Sequence, residues 1–158
     1  MKEYFYRVLL GSSIGLVAGL SVSIFLYTLN FATILFSKTP DLLYLLPVAG
    51  SLTLWLYKRY GLTAQKGSHL LIEECHTPHK TLPLIMAPLI FITTIIAHLA
   101  GASVGREASA VQISASLSDW ISSKLHMVSK ERRRSILIAA MGAGFSAAIG
   151  APLAGMIF

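Results

Sequence analysis

Charge is what this chain has least of. Only 13% of its 158 residues are charged and only 7 are acidic, while mean hydropathy stands at +0.68. A soluble domain carries charge on about a quarter of its residues, so a free-standing water-soluble globule is excluded and a lipid bilayer is the expected surrounding. Cysteine is almost absent: the single Cys75 rules out an intrachain disulfide framework and reads as a small buried apolar side chain. The sequence has no GxxxxGK[ST] phosphate loop, no paired catalytic carboxylates and no Ser-His-Asp arrangement, so it does not read as an enzyme. Histidines stand at 69, 76, 79, 98 and 126; only His76 and His79 have a helix-face spacing, and Pro78 between them breaks the helix. No metal and no cofactor is expected.

What is present is apolar and segmented. Residues 8–37 contain no charge, and at roughly 1.5 Å per residue this run outlasts a hydrocarbon core of about 30 Å, so it must tilt or bend. It is too long for the apolar region of a signal peptide. Further apolar segments cover 42–57, 82–104 with Pro83 near its start, and 135–158, the last interrupted by Gly150 and Pro152. The net charge of +6 comes from cations flanking these runs, among them Lys2, Arg7, Lys58, Arg59, Lys80, Lys124 and Arg132 to Arg134. That placement fits topology better than nucleic acid. By the positive-inside rule the protein is a multi-pass protein of the cell membrane with a cytoplasmic N-terminus. Residues 82–100 then ascend, 108–124 return, and the glycine-rich GASVGRE turns between them. Residues 61–79 are too polar at their start and too short at their end to span. They read either as a cytoplasmic loop with a short amphipathic helix or as a re-entrant half-helix beginning at Ser68, which membrane depth tolerates where backbone lines a cavity.

Arg106 and Glu107 stand between two uncharged stretches, 82–105 and 108–118. An ionisable residue at membrane depth is a candidate functional site, and Glu107 has little formal charge to pair with except Arg106. A helix starting near it would offer unpaired N–H groups and the positive end of a dipole, which attract anions.

These residues carry a resemblance. GASVGREASAVQI at 101–113 resembles the GxxxGREGPxVQ signature of the CLC family of chloride channels and proton-coupled anion antiporters. KGSHLLIEE at 66–74 stands where that family has its GSGIP segment, and AAMGAGFSAAIGAPLAGMIF at 139–158 is similar to its GAAAGxxAAFNAPLAGxxF run. The resemblance implies an all-α membrane fold, a bundle of tilted and broken re-entrant helices. Residues 1–158 would be the N-terminal half, the first of two inverted repeats, with the second half absent. It places Glu107 on the family's gating, proton-coupling glutamate and Ser68 on the serine that contacts the central anion. Gly105, Arg106 and Glu107, with Val104, would add backbone N–H donors, and Gly67, Gly101, Gly150 and Pro152 would shape the turns. Chloride or fluoride and protons are the implied partners, with a homodimer if the product is full length.

Some residues depart from the pattern. Ala108 and Ser109 follow the glutamate in place of Gly-Pro or Gly-Thr, and His69, Leu70 and Leu71 replace Gly-Ile-Pro. The LLIEECH and IGAPLAG runs look closer to the fluoride-exporting branch, whereas Ser68 sits with chloride transporters. Chloride or fluoride, channel or antiporter, stay open on the residues alone. Gly11, Gly15 and Gly19 form a double GxxxG, read as a face for close approach of neighbouring helices of the same protein, with dimerisation the alternative. Glu73 and Glu74 read as solvated or salt-bridged, and Arg106 as a structural partner of a carboxylate or carbonyls near the turn. The small residues Gly142, Gly144, Ala147, Ala148 and Gly150 want close helix neighbours that the chain itself is expected to lack. A contrasting reading is a truncated membrane fragment or interaction subunit that does not transport.

Overall fold

A computed structural model describes residues 2–61, 64–77, 81–124 and 130–157. Lys80, His79, His126 and Phe158, which figure in the expectations above, lie outside the described residues. Every regular element among those described is helical, as the sequence predicts.

The first helix, α1 (Lys2–Lys38), is continuous. No proline or charge interrupts it after Arg7, and its hydroxyls bond back along the helix, with Ser13, Thr28 and Thr33 each donating to the carbonyl four residues earlier. A polar side chain satisfied this way can lie in hydrocarbon. Ile14, Ala18, Val22, Phe25, Leu29 and Ala32 form its buried stripe at spacings of three or four. Leu16, Leu20, Ile24, Tyr27 and Phe31 on the other side are exposed. A helix apolar on both faces, only one of them covered, suits a lipid boundary.

The second segment differs from the expected single helix over 42–57. A 3₁₀ stretch (Pro40–Leu45) precedes α2 (Leu46–Tyr60). Pro47 is the cause: without an N–H it fits the first turn of a helix and not the interior of one running on from Asp41. The third segment is shorter than expected as well. Pro83 sits in a turn closed by Met86 N–H to Pro83 O (3.0 Å) and Ala87 N–H to Leu84 O (3.2 Å), and α4 spans Met86–Leu99. Between α2 and α4 lies the short helix α3 (Ser68–His76), and α5 (Arg106–Lys124) follows the glycine-rich turn.

α5 and α6 (Lys130–Ile149) pack most extensively, with α1 laid across both and α4 against α5. The α5 face is built largely from serine and alanine, and two of its serines bond to neighbouring segments. Ser114 donates to Ala140 O (2.8 Å) and Ser116 to Pro83 O (3.0 Å). Phe25 of α1 and Phe91 of α4 meet at a tilted 5.7 Å ring separation in the main core.

The glycines of α6 correct one expectation. Gly144 sits against α5, where an added Cβ would stand 2.9 Å from Ser114 Cβ and 3.0 Å from Ala110 O. Gly142 sits against Gly155 of α7 (Pro152–Ile157), its Cβ position 2.6 Å from the Gly155 carbonyl. The close neighbours of Gly142 and Gly144 are therefore supplied by the chain itself, whereas a Cβ at Gly150 would meet nothing within 4 Å. α7 can fold back on α6 because Gly150 turns the chain at φ +74° before Pro152 opens the next helix. The α1 glycines differ: a Cβ at Gly11, Gly15 or Gly19 meets nothing within 4 Å, so none of them packs against a described helix of this chain. The two sets predict opposite mutational outcomes. Gly144→Ala overpacks the α5–α6 contact and should cost about 1–3 kcal/mol, whereas Gly11→Ala should gain about 0.5–1 kcal/mol from helix propensity. Thermal unfolding in detergent reads both, and equal melting of the two variants would contradict the packing described.

Candidate functional site: the junction of α3 and α5

The α4–α5 turn is compact. Ala100 N–H bonds to Ile96 O, Gly101 N–H to His98 O and Ala102 N–H to Ala97 O, which ends α4. Gly101 presses against the Phe36 ring, so that the end of α1 lies beside this turn. The chain then enters α5 at Arg106, and the first-turn N–H groups, those of Arg106 and Glu107 included, have no intrahelical acceptor. Gly105, just ahead, is exposed. Glu107 bends back toward this end: its Oε1 is 3.4 Å from Arg106 Nε, and its Oε2 lies 4.0 Å from the Cβ position of Gly105. The carboxylate is 45% and the guanidinium 58% exposed on this chain's surface, so their attraction contributes little energy and leaves the carboxylate able to move.

Ser109, one of the departures from the signature, fastens this first turn. Its hydroxyl lies 3.1 Å from Thr94 Oγ1 of α4 and 3.3 Å from the Gly105 carbonyl, both hydroxyl residues being buried. The start of α5 is thereby held to α4 by side-chain bonds.

α3 arrives from the other side. It begins at Ser68, immediately after Gly67, whose φ of +52° with ψ of −128° is a conformation open to glycine and strained for other residues. Gln112 Nε2 of α5 donates to Ser68 Oγ at 3.1 Å. Because Ser68 Oγ accepts there, its own O–H proton is free to donate elsewhere. Gln112 lies five residues, or about 7.5 Å along the axis, beyond Glu107. The fold thus sets Ser68, the start of α3, and the start of α5 with Glu107 along one stretch of α5. Gly150 and Pro152 form the separate break between α6 and α7.

Farther along α5 lies a cluster not anticipated from the sequence. Asp119, fully buried, accepts from Arg133 Nε (2.8 Å to Oδ1), from Arg133 Nη2 (3.0 Å to Oδ2) and from the Leu82 N–H (2.7 Å to Oδ2). Arg133 Nη1 donates to Glu74 Oε2 of α3 at 2.8 Å. Burial alone would lower the Arg133 pKa, but the hydrogen bonds to Asp119 and Glu74 more than reverse this and raise it, so the guanidinium stays charged at any working pH. The adjacent carboxylates thus divide: Glu74 is buried in this cluster, while Glu73 is exposed and pairs with Lys66 at 3.1 Å. The available signal was Asp119 itself, a lone carboxylate in an otherwise uncharged stretch facing a basic triplet that topology alone seemed to explain.

With this geometry in view, the likeness to known proteins is specific. The family described as voltage gated chloride channel matches residues 49–158. The "Chloride/fluoride channel protein" of Pseudomonas syringae pv. tomato (strain ATCC BAA-871 / DC3000) is 40% identical over 149 residues, covering 94% of this chain and 33% of that protein. A solved structure titled "Crystal structure of a CLC-type fluoride/proton antiporter" superposes with a TM-score of 0.88 at 28% identity, over 95% of this chain and 38% of the other. The chain therefore spans about a third of the length of the relatives it matches. Signature motifs, helical architecture and matched residues agree: the chain belongs to the voltage gated chloride channel (CLC) family.

Proposed function

We propose that this chain is the N-terminal repeat of a membrane anion transporter that exchanges an anion, with fluoride favoured, for protons, and that Glu107 is its gating and proton-coupling group. The carrying observation is the Ser68–Gln112 hydrogen bond, which sets the start of α3 against α5 within about 7.5 Å, axially, of Glu107. Two helix starts and a hydroxyl with a free proton make a neutral, donor-rich anion site. An ionised Glu107 competes for those donors as an internal anion. A proton on the carboxylate, or its displacement outward, frees them for the transported ion, so one side chain couples the two occupancies. The 40%-identical relative and the superposed antiporter both carry fluoride in their names, which supports fluoride over chloride.

A multi-pass arrangement in the cell membrane with a cytoplasmic N-terminus is part of the same reading. Supporting it, Arg59 lies over the Tyr60 ring at the end of α2 and Lys124 over the Trp120 ring at the end of α5. Such aromatic and basic pairs suit a membrane interface, and both ends are ones the charge pattern places on the cytoplasmic side.

Ser68→Ala tests the site. Losing a hydrogen bond to a charged ligand removes at least about 1.5 kcal/mol, so the anion concentration for half-maximal flux should rise about tenfold or more. The assay is fluoride and chloride efflux, followed by ion-selective electrode, from vesicles containing the native product that carries this sequence. An unchanged half-saturation for both ions would remove Ser68 from the site.

A further inference from the structure

α3 is tied to α5 at two levels, and only one of them belongs to the anion site proposed above. At its start Ser68 accepts from Gln112, and at its end Glu74 is bridged through Arg133 to Asp119. From Ser68 to Glu74 is six residues, about 9 Å of helix, and from Gln112 to Asp119 is seven, about 10.5 Å. The two spans agree to about one residue's rise, as they would with α3 running along α5 and both ties in one register, the far one made through Arg133 of α6. Leu71, 1% exposed, packs in the core between the two ties. The arginine fork suits this work. Nε and Nη2 engage the Asp119 carboxylate side-on while Nη1 points to Glu74, a planar arrangement that a lysine ammonium cannot reproduce.

We propose that Arg133 is a positioning residue for the anion site: by joining Glu74 to Asp119 it fixes where α3 sits along α5, and hence where Ser68 stands relative to Glu107. The role in anion transport rests on the function proposed above, whereas the control of α3 position does not. Arg133 touches neither the anion nor Glu107 in this scheme. Its effect passes through the axial placement of a helix whose first residue is the anion's hydroxyl donor.

The test uses the native product in vesicles, with every cysteine it carries, Cys75 included, replaced by serine as background and spin labels on Ile72 of α3 and Trp120 of α5, both exposed on this chain. Distances between labels, melting temperature and anion half-saturation are measured for Arg133→Lys and Glu74→Gln. Leu137→Ala, a fully buried core truncation one turn farther along α6, serves as the control for mere destabilisation. Arg133→Lys and Glu74→Gln are expected to shift or broaden the distance distribution and raise half-saturation about five- to tenfold, the scale of a displaced hydrogen bond, with maximal rate little changed. Leu137→Ala should lower the melting temperature and leave distance and half-saturation alone. If the two cluster variants behave as Leu137→Ala does, the positioning role is refuted. If the unsubstituted protein carries no anion, the transport reading fails by itself, and the label distances still decide whether Arg133 sets the place of α3.

Discussion

Glu107→Gln is expected to transport its anion with no dependence on the proton gradient. The substitution keeps side-chain size and leaves a polar group near the first turn of α5, but the amide neither ionises nor carries a proton across. Two consequences follow from the geometry. An ionised Glu107 no longer competes for the N–H groups of Arg106 and its neighbours, and Arg106 loses the carboxylate 3.4 Å from its Nε. Both changes leave the anion path open in every bath, so flux persists while its proton-driven component falls by about 10²-fold or more, the scale on which a positioned proton-transfer group acts. Efflux at matched protein loading, in acidic and in neutral baths, reads this directly. A variant whose flux keeps the pH dependence of the parent would mean that Glu107 is not the coupling group.

Asp119→Ala should have the largest effect on folding. Asp119 is fully buried and receives two nitrogens of Arg133 and the Leu82 N–H. Truncation takes from the Arg133 guanidinium, its side chain 13% exposed, the buried carboxylate that two of its nitrogens engage, and it strips an acceptor from the chain entering α4. Breaking a buried ion pair from one side costs about 3–5 kcal/mol. Against a total stability of about 5–15 kcal/mol this is a large share. At about 2–4 °C per kcal/mol the melting temperature should fall by roughly 10 °C. Neutralising the whole cluster, Asp119→Leu with Arg133→Met and Glu74→Gln, should recover much of the loss, because it is the uncompensated charge that is costly and Glu74 would otherwise be left without the guanidinium. Thermal unfolding in detergent measures all three proteins. A single Asp119→Ala variant melting with the parent would show that the cluster is not a buried ionic tie.

The parts of this architecture legible in the sequence are those set by local chemistry. Pro152 after Gly150 announces a break because one residue cannot continue a helix and the other turns it, and the break is there at φ +74°. Ser68 after Gly67 is a helix start for a similar reason. The long uncharged run over 8–37 announces α1, but because that helix is apolar all round, which stripe is covered is decided by packing and not by periodicity. What was not legible is what long-range pairing decides. Asp119 meets Arg133 across a helix connection, and Glu74 meets the same guanidinium 59 positions away. No periodicity encodes such pairing, and three consecutive arginines read equally well as a topological signal. The α6 glycines were misread for the same reason: small residues announce that something approaches, not what, and the approaching groups proved to be Ser114 and Gly155 of this chain. Pro47 was a local signal passed over, since a proline six residues past Asp41 places the α-helical start at Leu46. At the proposed anion site the motif residues could be named one by one. The Gln112 bond that brings Ser68 onto α5 could not.

Coupled exchange shows itself in proton movement driven by an anion gradient. Vesicles containing the native product are loaded with fluoride or chloride and diluted into anion-poor medium of the same pH, and the internal pH is followed. Proton–anion exchange predicts that outward anion flow drives protons inward against no initial gradient, acidifying the lumen, and that Glu107→Gln abolishes the acidification while efflux continues. Anion efflux from the parent with no proton movement, membrane potential being clamped, would contradict it.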